Sequence, residues 1–162
     1  MNVQLSSPTA IVLDTSPLSL LTQKQGHAQG DACKIWYANL ELAGHQFFVP
    51  EIADYELRRE LLRTGKSTSI ARLDKFNSVE PNRYLPLSTA DVRLAADLWS
   101  QARNSGRTGA PPDALDGDVF IAAQALRLVA ATHGLSQTIV ATSNVSHLTH
   151  LVKAELWSDL VP

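Results

Sequence analysis

The stretch Ile11-Val12-Leu13-Asp14-Thr15-Ser16-Pro17 decides how the chain is read. Three apolar residues, two of them β-branched, run without a polar interruption, the pattern of a short strand buried on both faces of a parallel sheet. Asp14 closes the run, so its carboxylate projects from the strand's carboxyl end, where open α/β sheets bind their ligands. Thr15 or Ser16 can cap the helix that follows, and Pro17 suits its first turn, where a missing N–H costs nothing.

The same alternation continues outward. Residues 23–30 are polar with two glycines and read as a loop. A helix over 31–44 follows, with Ile35, Trp36, Leu40 and Leu42 near helical spacing. Residues 45–49 form a second strand stopped by Pro50, and 51–63 an amphipathic helix with Glu–Arg pairs on its polar side. A helix over 69–76, a short strand at 84–87 and a helix over 90–104 capped by Ser88 or Thr89 come next. The segment GRTGAPPDALDG, 106–117, reads as an exposed loop delivering the chain to a helix over 118–132. Residues 138–141 are a strand, 145–151 a short helix and 155–157 a final edge strand. Strands alternating with helices favour a mainly parallel sheet covered on both faces, an α/β fold.

A chain of 162 residues with 44% hydrophobic and 19% charged residues suits one domain, 1–162, with no repeat. The single cysteine, Cys33, excludes an internal disulfide and a cysteine-rich zinc site, and reads as a small buried hydrophobe. No stretch approaches the roughly 18 apolar residues of a membrane span, and no basic-then-apolar leader opens the chain. A cytoplasmic protein with no membrane contact is expected. The net charge of −2 argues weakly against nucleic acid. Local charge argues the other way: Arg58, Arg59 and Arg63 follow Glu56, and Arg103 and Arg107 flank the segment before Asp116.

Four acids occupy positions that serve stability poorly and hold a divalent cation well. Asp14 ends a strand, Glu56 lies at the border of a helix's buried face, and Asp116 and Asp118 open another helix. Capping alone accounts for one acid at a helix start. Two like charges two residues apart repel unless a cation or solvent intervenes. Asn144 follows a strand as Asp14 does, so both side chains emerge from one sheet edge. Oxygen-only ligands select Mg²⁺ or Mn²⁺ over zinc. The five histidines are scattered; His147 and His150, three apart on a short helix, could bind metal or phosphate, though a solvated or helix-packing role is the readier explanation. No Gly-rich phosphate loop and no Gly-x-Ser-x-Gly elbow occurs.

In order along the chain, IVLDTSPLS, PEIADYELRREL, DGDVFIAAQAL and ATSNVSHL resemble the four motifs of PIN-domain proteins, including VapC-like toxins of bacterial toxin–antitoxin modules. The resemblance implies a three-layer α/β/α sandwich with a short central, mainly parallel sheet. It implies Asp14, Glu56 and Asp118 as the metal-holding core, with Asp116 as an accessory carboxylate. Thr142 and Ser16 become hydroxyls supporting the acids, and Asn144 stands where the fourth motif often carries an acid. The activity implied is a Mg²⁺- or Mn²⁺-dependent endoribonuclease on single-stranded RNA, with Arg58 or Arg59 meeting substrate phosphate. A homodimer and an antitoxin partner are implied by the family alone. The alternative is a catalytically weak or inactive PIN-type module that binds nucleic acid or protein, for which Asn144 and the modest charge speak. A structure-specific DNA nuclease would need extra helices for which 162 residues leave little room.

Overall fold

All five residues of Thr9–Leu13 are buried, which is what an uninterrupted apolar strand at the centre of a covered sheet requires. The computed structural model describes residues 1–106 and 112–162, and the side chains of all of these except 112–114. In chain order its elements are β1 (Val3–Gln4), β2 (Thr9–Leu13), α1 (Thr15–Leu21), α2 (Ala28–Leu42), β3 (Gln46–Pro50), α3 (Glu51–Arg63) and α4 (Ser67–Ser78). These are followed by β4 (Tyr84–Leu85), α5 (Thr89–Asn104), α6 (Pro112–Arg127), β5 (Gln137–Thr142), α7 (Val145–Leu148), β6 (Ala154–Leu156) and β7 (Leu160–Val161).

Five strands form one parallel sheet in the order β4-β3-β2-β5-β6, with Ile11 beside Phe47 and Ile139, and Val12 beside Phe48 and Val140. Side chains alternate between two cores. Ile11, Leu13, Phe47, Val49 and Ile139 pack with Leu18, Trp36 and Leu40 of α1 and α2. Ala10, Val12, Phe48 and Val140 pack on the other face with Ile121 and Ala125 of α6. A third cluster joins α5 to α6 through Ala95, Ala102, Val119 and Ala123, where small side chains let the helices approach. The result is the expected α/β/α sandwich. Because the chain leaves β2 for β3 on one side and returns to β5 on the other, the crevice of this topology lies at the carboxyl end of β2, at Asp14.

Several boundaries differ from those expected. The segment 106–117 is not a loop throughout: α6 begins at Pro112, a residue tolerated in a helix's first turn. Residues 107–111, Arg107 among them, lie outside the described residues. Asp14, rather than Thr15 or Ser16, caps α1. The loop after α1 is shorter than 23–30, since His27 caps α2 by accepting from the Gly30 N–H at 3.3 Å. The helix expected over 118–132 ends at Arg127, and a 3-10 turn over Ala130–His133 closes at Gly134 with φ 71°. The edge strand is β6, and Trp157 leaves it to pack edge-on against Trp36 with ring centroids 5.4 Å apart. The two-residue pair β1–β7 is too short to leave a sequence pattern. No helix among the described residues is long and apolar enough to cross a membrane.

Candidate active site

Asp14 is fixed by both of its carboxylate oxygens. Oδ1 accepts from the Thr15 N–H at 2.6 Å and Oδ2 from the Thr142 hydroxyl at 2.6 Å. Its own N–H extends the ladder by donating to the Ala141 carbonyl at 3.0 Å. Thr142 is fully buried at the end of β5, so two neighbouring parallel strands supply the acid and the hydroxyl that aims it. A cap is ordinarily solvated, but this one is half-buried. Desolvation raises the Asp14 pKa above its usual value, Thr142 and the Thr15 N–H oppose the rise, and Glu56 adds to it.

Glu56 is brought in by α3 and held by Thr15, whose hydroxyl donates to Oε2 at 2.6 Å. Gly117 of α6 faces the same carboxylate: a Cβ there would sit 2.3 Å from Glu56 Oε1. Residue 117 must therefore lack a side chain for the glutamate to keep this position.

Asp118 lies in the second turn of α6, so helix capping does not account for it. Its side chain is 15% exposed, and Oδ2 is buried without a hydrogen-bond partner. Burial pushes its pKa up to about 6, Asp14 and Glu56 push the same way, and His147 opposes them. The charges of Asp14, Glu56 and Asp118 thus bear on one another across three separate elements. His147 Nδ1 is 3.6 Å from Asp118 Oδ2, too far for a hydrogen bond, and 3.0 Å from the Asn144 amide nitrogen. Asn144 also ties back to β5 through its N–H, which donates to Thr142 Oγ1 at 2.9 Å. Ser16 Oγ accepts from the Ser143 N–H at 3.1 Å, stitching α1 to the same edge.

Thr15, Gly117 and His147 are site residues that the sequence reading passed over. The sequence offers Thr15 only as a cap, and of the two roles open to His147 its position against Asp118 and Asn144 favours the one at the site over solvation or packing. Two other expectations fare differently. Asp116 is exposed, and residues two apart on a helix do not face each other, so the repulsion argued between Asp116 and Asp118 does not arise once both lie inside α6. Arg58 is engaged elsewhere: it donates twice to Asp54, at 2.8 Å each, and once to Asp74 at 2.6 Å. This network joins α3 to α4 and turns Arg58 from the acids. Arg59 is exposed, its guanidinium 5.4 Å from the Tyr55 ring.

The donor set suits a hard cation, being oxygen-only: Asp118 Oδ2 is orphaned, and Gly117, by lacking a side chain, lets the Glu56 carboxylate come up against α6. The acids are not drawn into a closed shell: among the described residues no three His, Cys, Asp or Glu side chains are gathered closely enough to be a ready-made metal site.

No protein-family model and no curated protein matches the chain. Solved structures do. FitAcB from Neisseria gonorrhoeae superposes with a TM-score of 0.60 at 22% identity, over 91% of this chain and 97% of that one. VapBC2 from Rickettsia felis, bound to a DNA fragment from their promoter, superposes with a TM-score of 0.62 at 18% identity, over 90% of this chain and 97% of that one. The chain has the PIN-like fold. At these identities the likeness is one of architecture, and it extends over nine-tenths of the chain. Within the PIN-like fold, Asp14, Glu56 and Asp118 come from the end of β2, from α3 and from α6, the three elements that border the crevice.

Proposed function

We propose that this chain is a Mg²⁺- or Mn²⁺-dependent endoribonuclease that cuts single-stranded RNA and serves as the toxin of a toxin–antitoxin pair. The observation that carries the reading is Asp118: a half-buried carboxylate inside a helix, with one buried, unpartnered oxygen, in the field of two further acids. Such an arrangement destabilises the fold in the absence of a cation, and it has no packing or capping role to offset that.

In this reading Asp14, Glu56 and Asp118 hold the ion, Thr142 and Thr15 keep the first two aimed, and His147 with Asn144 borders the third. A divalent ion at such a site supplies charge neutralisation on the phosphate and a more acidic attacking water. Asp116 is left at the solvent side as a minor contributor. Arg59, exposed and one residue from Arg58, is the better candidate of the two for substrate phosphate. The likeness to FitAcB and VapBC2 supports an antitoxin partner, and assembly as a homodimer rests on the resemblance to the family alone.

The test is cleavage of mixed single-stranded RNA with Mn²⁺ by rigorously purified protein, beside Asp14→Asn and Asp118→Asn variants shown to be folded. Loss of cutting in both variants is expected, and retained cutting in both would end the proposal. A second reading, a PIN-type binding module without turnover, is favoured by Asn144, an amide that brings no charge, and by the open arrangement of the acids. Manganese-dependent thermal stabilisation with no cleavage of any RNA would select it.

A further inference from the structure

Away from the acids, the α1–α2 link, α2, α4 and the end of α3 enclose two adjoining cavities of about 610 and 520 Å³. They share Thr22, Gln23, Lys24, Gln25 and Arg72 as walls, so they form one groove. Four of the chain's five lysines, Lys24, Lys34, Lys66 and Lys75, line it, and no carboxylate does among the described residues. A chain of net charge −2 has gathered its lysines on one side.

Apart from Lys34, which pairs with Asp31 at 3.5 Å, these cations are also unspent. Among the described residues Lys24, Lys66, Arg72 and Lys75 make no ion pair, in contrast to Arg58, Arg63, Arg83 and Arg127. Arg72 is held without a counter-charge: Nε donates to the Thr22 carbonyl at 2.7 Å and Nη2 to Ser69 Oγ at 2.9 Å. Side chains of this kind placed without carboxylate partners repel one another and favour an anionic ligand.

The smaller cavity ends at Ser19 and Leu57. Ser19 lies one helical turn beyond Thr15 on α1, so the groove's near end is about one turn of that helix from the residue that holds Glu56. Its walls carry the neutral donors Ser19, Thr22, Gln25 and Ser69, residue types that contact phosphate and sugar. At its far end the half-buried rings of Tyr37 and Phe76 line the wall, centroids 5.7 Å apart, with the Arg83 guanidinium 4.5 Å from the Phe76 ring. Cations that track a backbone and aromatic surface for bases are the features of a single-strand groove.

We infer that the groove lined by Lys24, Lys34, Lys66, Arg72 and Lys75 holds the phosphates flanking the cleavage point of a single-stranded nucleic acid. The inference rests on the nuclease reading of the acids and adds to it a binding site. Three half-buried acids repel a polyanion, and a groove of cations whose near end, Ser19, is one turn of α1 from Thr15 supplies opposing charge. A strand with a charge at every residue suits cations spread over both cavities better than an acidic peptide, whose charges would need only the rim.

The test is binding of a labelled mixed-sequence single-stranded RNA in EDTA, where no cutting occurs, followed by fluorescence polarisation across a salt series. For Lys24→Glu/Lys75→Glu, affinity falls about tenfold or more, and the slope of log affinity against log salt falls by about 1.4 for two lost phosphate contacts. Lys153→Glu, on the edge of the sheet, leaves both unchanged, and melting temperatures of all variants stay together. If the double reversal lowers the melting temperature, Lys24→Gln/Lys75→Gln gives the same readout with a smaller charge change. Binding within twofold of the unsubstituted chain, or an equal loss in Lys153→Glu, overturns the inference. So does a glutamate-rich peptide of equal charge that binds more tightly than RNA and loses that affinity in the double variant. Failure of the nuclease reading appears separately, as cutting retained in both Asp14→Asn and Asp118→Asn, and leaves the EDTA measurement unaffected.

Discussion

Thr15 Oγ1 donates to Glu56 Oε2 at 2.6 Å across 41 positions of sequence, while the Thr15 N–H donates to Asp14 Oδ1. One residue thereby sets the orientation of two acids from different elements. The side-chain hydroxyl and the backbone amide act on different carboxylates, so a substitution that keeps the backbone separates the two effects.

Thr15→Val preserves the shape and the Asp14 contact and removes only the bond to Glu56. Losing a hydrogen bond to a charged group costs roughly 1.5–3 kcal/mol where it is buried. Glu56 is half-buried and can turn to water, so the melting temperature is expected to fall by only a few degrees. Manganese affinity, followed by calorimetric titration, is expected to fall about tenfold. Thr15→Ser restores it. Equal affinity in the valine variant would show that Glu56 needs no holder.

Gly117→Ala separates stability from site geometry. Alanine is the better helix former by about 1 kcal/mol, and the atom its Cβ meets is the far end of a flexible side chain. The helix should therefore gain or hold stability while the Glu56 carboxylate is displaced. The expected outcome is an unchanged or higher melting temperature in EDTA together with lost manganese stabilisation and lost cleavage. A variant that melts higher and still cuts at the original rate would remove Glu56 from the site.

The sheet was legible because burial on both faces leaves an unmistakable trace: Ile11, Val12 and Leu13 have no polar neighbour until Asp14, and 137–142 repeats the pattern as far as Thr142. Asp14 was found by the same logic. The start of α6 was hidden because Pro112, Asp113 and Gly117 are turn residues by composition, and only packing of Leu115 and Val119 against α5 makes a helix of them. That error made Asp118 look like a cap and coupled it wrongly to Asp116. His147 and Gly117 lie inside the quoted motifs, but nothing local marks either as a site residue. Their meaning lies in what faces them from another element, and sequence spacing does not report that.

Asp118 gives the metal-free fold a distinctive pH dependence. Its pKa in the folded chain, about 6 against a reference of 3.8, means that the folded state holds a proton the unfolded state has lost between those values. Stability from this group is present at low pH and is lost as pH rises through about 6. The shift corresponds to an order of 2 kcal/mol after allowance for partial exposure. Asp118→Asn should melt higher than the unsubstituted chain at pH 8 in EDTA and match it near pH 4. Manganese should reverse the order at pH 8. Identical pH profiles would show that the carboxylate is not strained.

Arg58 is expected to matter to stability alone. Its bonds to Asp54 and Asp74 join α3 to α4, and the Asp54 side chain is only 8% exposed. Arg58→Ala leaves that buried carboxylate with Asn77 as its remaining side-chain donor, at 2.8 Å. A loss of about 1–3 kcal/mol in chemical denaturation is expected. RNA affinity in EDTA should stay within twofold at a temperature where the variant is folded. A fall in affinity with no fall in stability would return Arg58 to the substrate.

Asp116 and Asp118 give the sharpest contrast, being the same residue type two positions apart in one helix. Asp116 is exposed on α6, whereas Asp118 is mostly buried beside Asp14 and Glu56. Conversion of either to asparagine preserves size and helix register, so each variant reports only on the charge it removes. Asp118→Asn should abolish manganese-dependent cleavage, a loss of about a thousandfold or more, as removal of a ligand requires. Asp116→Asn should lower it threefold at most, through the long-range field at the crevice. Equal losses would mean that α6 turns during catalysis to present both carboxylates, and that the arrangement described for Asp118 is only its resting state.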